Sequence, residues 1–130
     1  CDFVEKFDYQ SKSRAINCIS LACHPIHYQK KIAQRLKELD ISVIVCPSAA
    51  ISMAQNSDLL SYTHNSIAPV QLLLNQNVNV ALGVDNIQDI FMPFSDGNLE
   101  FELRLLAEAT RIYDIDTLTK IATNTTGFSI

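Results

Sequence analysis

Glycine is scarce here, with 3 in 130 residues. No glycine-rich loop follows any apolar run. That disfavours the nucleotide-binding variety of open α/β sheet, in which glycines let the backbone approach a phosphate. The four cysteines, Cys1, Cys18, Cys23 and Cys46, form no C-x-x-C pair, and their spacing is too wide for a zinc knuckle. Three of them lie in or beside apolar runs, as buried reduced thiols of a cytoplasmic protein do. No apolar run approaches the roughly 20 residues that span a bilayer. The opening stretch CDFVEKFDYQ lacks the basic start and apolar centre of a signal peptide. Positive charge is also short: 10 Lys and Arg against 14 Asp and Glu give a net charge of −4. Those cations are scattered along the chain, so no footprint for nucleic acid is visible. Neither a nucleic acid nor a membrane is expected as a partner, and the expected location is cytoplasmic.

What the chain does have is apolar matter for one compact core, at 48% hydrophobic residues and a mean hydropathy of +0.10. Ala15 to Cys23 reads as a strand buried on both faces, because it is apolar without alternation. Tyr28 to Asp40 reads as a helix with Ile32, Leu36 and Leu39 on its buried stripe. Ile41 to Cys46 is a second β-branched run, closed by Pro47. The polar stretch Ser48 to Asn65 has no period and is long for a connection, which points to function. A third helix follows, capped by Ser66, with Pro69 in its first turn, Val70, Leu73 and Leu74 buried, and Asn77 ending it. Val78 to Gly83 is a third strand, and Val84 to Gly97 a loop rich in Asp, Pro and aromatics. Asn98 to Tyr113 is the longest helix, with Leu99, Leu103 and Leu106 aligned and Glu100 and Glu102 in its first turn. Asp116 caps a last helix running through Thr123.

Strands alternating with helices in units of about 25 to 35 residues mark a parallel α/β fold. The rhythm alone leaves two architectures open, a doubly wound sheet or a segment of an eight-stranded barrel. In both, functional residues gather at the C-terminal ends of strands. Two candidates sit there: His24, directly after the first strand, and Asp85, two residues after the third. Histidine is suited to proton transfer or metal contact, and a carboxylate can bind a cation or accept a proton. The plainer readings are a hydrogen-bonded core histidine and a turn or helix cap.

The segment LGVDNIQDIFMPFSDGN, Leu82 to Asn98, resembles the last barrel strand and following loop of the amidohydrolase superfamily, cytosine deaminases above all. The matching residues are Gly83, Asp85, Asn86, Asp89, Phe91 and Pro93. SIAPVQLLLNQNVNVALG looks like the lead-in of the same group, ISLACHPIH like its sixth strand, and DTLTKIATNTTGFSI like the helix after the barrel. The resemblance implies a partial TIM (β/α)8 barrel: the sixth to eighth parallel strands with their helices and a C-terminal helix. On this reading residues 1–130 are the C-terminal fragment of a single barrel domain, with no second domain.

The resemblance also implies a metal-dependent hydrolase that acts on C–N bonds of a small, nitrogen-rich, pyrimidine-like ring. It assigns Asp85 as metal ligand and proton shuttle, His24 as the second catalytic residue, and Asn86 and Phe91 as substrate-binding residues. The cofactor is one divalent zinc or iron ion in the full-length protein. The fragment alone, with Asp85 as its sole family ligand, is expected to hold none and to be inactive. The partners expected are a small-molecule substrate and further copies of the same chain, because an open barrel face and free strand edges favour self-association. His27 reads as a surface or capping residue and His64 as a solvated loop residue.

The family pattern is broken in two places. Its fifth strand commonly ends in a metal-binding His followed by Cys-Asp-Glu, whereas this chain begins Cys1-Asp2-Phe3. Phe3 therefore stands where the family carries the Glu that protonates the ring, with Glu5 as the nearest substitute. After Pro47, where relatives carry Asn and then His or Tyr, the matching positions are Ala50 and Ser52. A catalytically dead relative that uses the barrel for binding or assembly is the alternative reading.

Overall fold

The computed structural model describes residues 1–52 and 67–124. Three parallel strands, β1 (Arg14–Ile16), β2 (Ser42–Val45) and β3 (Val80–Leu82), pair in the order β1-β2-β3. Ile16 lies opposite Ile44, and Ile44 opposite Ala81. Helices α1 (Asp2–Lys6), α2 (Ile19–Ala22), α3 (Ile26–Glu38), α4 (Pro47–Ser52), α5 (Val70–Asn75), α6 (Leu99–Thr110) and α7 (Ile115–Thr123) complete the described chain.

Side-chain alternation divides the sheet into two faces. Val43, Val45 and Val80 point into the main core, where they meet Ala33 and Leu36 of α3, Leu73 of α5, Leu106 of α6 and Ile121 of α7. On the other face Ile44 and Cys46 form a small cluster with Ala49 and Met92. Ile16, on that same face, is 61% exposed. The helices that share the main core thus cover one face of the sheet, and the second face stays partly open.

The first strand is far shorter than the apolar run Ala15 to Cys23 suggested. Asn17 and Cys18 both adopt left-handed backbone, at φ 66° and 47°. Left-handed residues cannot continue a strand, so the chain turns out of the sheet and Ile19–Ala22 closes one helical turn. The N-terminal residues Asp2–Lys6 fold as α1. The stretch after Cys46 begins as α4. Its continuation, with Ser66 and His64, lies outside the described residues, and Pro69 occupies the N-cap position of α5. Asn77 ends that unit as expected, in left-handed conformation at φ 57°.

Two details of the C-terminal helices differ from the expected pattern. Asn98 caps α6, its side chain accepting from the backbone N–H groups of Glu100 and Phe101. The buried stripe of α6, however, runs through Glu102, Leu106 and Ala107, and Leu99 is 48% exposed. Helix α7 is capped by Asp114, which accepts from the Thr117 N–H at 2.8 Å. Asp116 sits inside its first turn.

At the N-terminal ends of the strands the fold gathers cations that are distant in sequence. Lys12, Arg14, Lys37 and Lys120 line one cavity there. Lys37 and Lys120 belong to the last turns of α3 and α7, whose partial negative charge they offset.

Leu106 is fully buried at the centre of the main core. Leu106→Ala is expected to lower the unfolding free energy by about 2–5 kcal/mol. Ile115→Ala, at a site 72% exposed, is expected to change it by less than about 0.5 kcal/mol. Urea denaturation of both variants checks the difference.

Candidate active site

The site is built where β3 leaves the sheet. Gly83 extends the ladder by one bond, its N–H donating to the Val45 carbonyl at 2.8 Å. A Cβ at this position would stand 2.8 Å from Ile44 Cγ2 and 3.0 Å from Cys46 Sγ. Only a residue without a side chain lets β2 and β3 close here. Two residues on, Asp85 takes left-handed backbone at φ 61° and projects its carboxylate across the strand ends. The Asn17 amide donates to Asp85 Oδ2 at 2.7 Å. Asn17 is itself held in the ladder, its N–H donating to the Ile44 carbonyl at 2.8 Å.

The loop after Asp85 is organised by a second carboxylate. Asp89 Oδ1 accepts from the backbone N–H groups of Phe91 at 2.9 Å and Met92 at 2.8 Å. Its Oδ2 accepts from the Asn86 amide. The Met92 N–H and then the Asn86 amide hold the Asp89 carboxyl below its ordinary range. Asn86 therefore serves the loop as well as the cavity wall. Beneath the loop the buried Cys46 thiol is pushed up to about 12, first by burial and then by the charges of Asp85 and Glu102. A backbone hydrogen bond from Asp85 opposes this shift.

Asp85, Asn86, Phe91 and Met92 enclose a cavity of about 380 Å³ with Asn17, Ile19, Ala49 and Ser52. That volume suits a small ring. Three of the four site residues expected from sequence thus meet at one place.

His24 is not brought there. The strand that was expected to carry it ends at Ile16, and a helical turn intervenes. The His24 imidazole is exposed and packs on Tyr28 at 4.5 Å between ring centroids. Its carbonyl accepts from the Gln29 side chain at 2.7 Å. His27 lies exposed in the first turn of α3. Phe3 is exposed on α1 beside Phe7, and Glu5 is paired with Arg35 at 2.6 Å. Ser52 lines the cavity, with its hydroxyl donating to the Ala49 carbonyl at 2.9 Å, whereas Ala50 is buried.

Asn17 was missed by sequence reasoning, although a signal existed. An Asn inside an apolar run is a residue that tolerates left-handed backbone, and it marks where such a run can break. Its Oδ1 is buried without a hydrogen-bond partner among the described residues. A left-handed residue with an orphaned acceptor, tied to a strand-end carboxylate, is the kind of feature that clusters at functional sites.

A carboxylate with one anchored oxygen can accept a proton or hold a cation. Among the described residues, however, no group of three or more His, Cys, Asp or Glu side chains comes together. The one donor facing Asp85 Oδ2 is an amide N–H, which cannot ligate a metal. These residues by themselves do not fit a divalent ion.

Parallel strands flanked by helices, with a carboxylate and a small cavity at their C-terminal ends, have the architecture of parallel α/β proteins. Among solved structures, the fold is similar to 5-methylcytosine deaminase from Klebsiella pneumoniae liganded with 5-fluorocytosine. The TM-score is 0.80 at 20% identity, over 93% of this chain and 30% of that one. The same deaminase liganded with phosphonocytosine matches at a TM-score of 0.77 and 21% identity, over 90% of this chain and 29% of that one. The chain therefore spans about 30% of the length of these structures, and the likeness is one of fold. No family model and no curated protein matches the sequence.

Only a thiolate reacts with alkylating agents. In the native protein at about pH 8, iodoacetamide is expected to leave Cys46 unmodified and to label it once the chain is unfolded. Because its folded-state value is raised from 9.0 to about 12, the neutral thiol stabilises the fold fully below pH 9. That contribution is lost as pH rises toward 12. Thermal melts of Cys46→Ala should fall less steeply over this range than those of the parent.

Proposed function

We propose that this chain is the C-terminal part of the barrel of a cytosine deaminase-like amidohydrolase. The intact protein would hydrolyse a C–N bond of a small amino-substituted nitrogen ring. The observation that carries this reading is Asp85, set at the end of β3 by Gly83 and anchored by Asn17 over a ring-sized cavity. Similarity of fold to 5-methylcytosine deaminase supports it. Asp85 Oδ2 is engaged by the amide, so Oδ1 is the proton acceptor for an attacking water and returns that proton to the leaving amine. Asn86 and Phe91 line the wall against which the ring would lie.

The resemblance implies a zinc or iron ion, toward which Asp85 would contribute one oxygen. The described residues do not assemble the remaining donors. These would have to come from other parts of a longer protein. Phe3 cannot donate a proton, which favours a substrate other than cytosine. The four free cysteines fit a reducing compartment such as the cytoplasm. Self-association is part of the same proposal, because β1 is an edge strand carrying an exposed Ile16.

The test is a screen of amino-pyrimidines, amino-triazines and cyclic amides with the intact protein. Ammonia release is expected, and Asp85→Asn should reduce it roughly a hundred- to ten-thousandfold. Phe91→Ala should raise KM more than it lowers kcat. Turnover that survives in Asp85→Asn would rule out the assignment, and absence of turnover on every such ring would favour a catalytically dead relative. For the chain alone, sedimentation velocity at tens of micromolar is expected to show a dimer.

A further inference from the structure

Glu102 is a carboxylate in the interior of the protein, 2% exposed, and among the described residues it is in no ion pair. Its oxygens accept from the Ser48 N–H at 2.9 Å and from the Ser48 hydroxyl. Both donors are neutral. A six-residue helix, α4, presents its N-terminus here as well. Together these offset part of a full charge, whereas buried charges in proteins are normally paired with an opposite one.

The surroundings of this carboxylate are unusual in a second, independent way. Glu102 forms part of the wall of a cavity of about 600 Å³ whose sides are mainly apolar, among them Phe91, Phe94, Phe101 and Leu105. Phe94 is 97% exposed, Phe91 75% and Phe101 56%. Together these rings form an exposed apolar patch beside the carboxylate, a common feature of ligand-binding grooves. Asp96 adds a second carboxylate to the rim, and neither Lys nor Arg lines the cavity among the described residues.

We propose that this cavity is a binding site for a small organic cation: an ammonium group carried on an apolar or aromatic body. Glu102, only partly compensated by Ser48, and the rim Asp96 supply the attracting charge. The exposed faces of Phe91, Phe94 and Phe101 supply apolar cover, and aromatic faces also attract a cation directly. A neutral ligand would use only the apolar half of the site, and an anion would be repelled by both carboxylates. The site adjoins the Asp85 cavity, with which it shares Ser52, Phe91 and Met92. Phe91 is common to both, but Glu102, Asp96, Phe94 and Phe101 lie outside the Asp85 cavity, and the site does not depend on a deaminase function.

The test is a titration of the isotope-labelled chain with benzylamine and, separately, with benzyl alcohol, followed by amide shifts in the NMR spectrum. Benzylamine is expected to shift Ser48, Phe94 and Phe101 and to bind roughly tenfold more tightly than the alcohol. Glu102→Gln keeps the shape of the side chain and should abolish that preference. Phe94→Ala, at a fully solvated position, should weaken benzylamine binding several-fold without affecting the fold. Equal affinity for the two probes, or a preference preserved in Glu102→Gln, would overturn the proposal. So would a loss in Asp85→Asn as large as in Glu102→Gln, because the cation would then sit in the neighbouring cavity. Should Glu102→Gln fail to fold, Phe94→Ala decides, and unchanged benzylamine affinity in that variant sinks the site.

Discussion

A Cβ at position 83 would be 2.8 Å from Ile44 and 3.0 Å from the Cys46 sulfur, and most of the site follows from its absence. With no side chain there, the end of β3 lies directly against β2, so Cys46 is sealed beneath the loop that begins at Val84. Asp85 is then delivered at a height where Asn17, leaving β1, can donate to it. The three strand ends are tied in this way by one close approach and one side-chain hydrogen bond. A larger residue at 83 would displace the carboxylate before it disturbed the main core, which lies on the opposite face of the sheet.

The electrostatics of this end of the protein are one-sided. Asp85, Asp89, Asp96 and Glu102 all lie on or around the loop between β3 and α6, while the cations of Lys12, Arg14, Lys37 and Lys120 line the other end of the strands. Neutral donors do most of the compensating work at the acidic end: the Asn17 amide for Asp85, backbone N–H groups for Asp89, and Ser48 for Glu102. Burial first, and then the charges of Asp85 and Glu102, raise the Cys46 thiol at this end. A site compensated by neutral groups keeps its negative potential available to whatever enters the cavities.

Much of the fold was legible because it depends on periodicity. The buried stripe of α3, the β-branched runs of β2 and β3 and the start of α6 near Asn98 follow from local chemistry that neighbours do not override. The failures share a cause. Asn17 and Cys18 break the first apolar run through left-handed backbone, where Asn17 pairs with Ile44 of β2 and with Asp85 beyond the end of β3. Glu102 reads as an acidic residue of the helix's first turn, yet it is buried, where Ser48, 54 residues away in sequence, offers it two donors. Asp85, Asn86 and Phe91, singled out together through the family resemblance, sit within one loop and so line one cavity. His24 was misplaced because its position depended on the length of β1.

By itself, then, the sequence determined the strand-and-helix rhythm, the parallel α/β class and a carboxylate at the end of the third strand. The spacing of apolar residues is local and acts without the rest of the chain, whereas Gly83 is required by Ile44 and Cys46 at the end of the neighbouring strand. Tertiary structure alone decided which side chain stands opposite Asp85, which carboxylate is buried, and where charges scattered through the sequence collect. Those outcomes depend on distances between residues far apart in the chain. Only the packed sheet, with β1 and β3 brought to either side of β2, sets them.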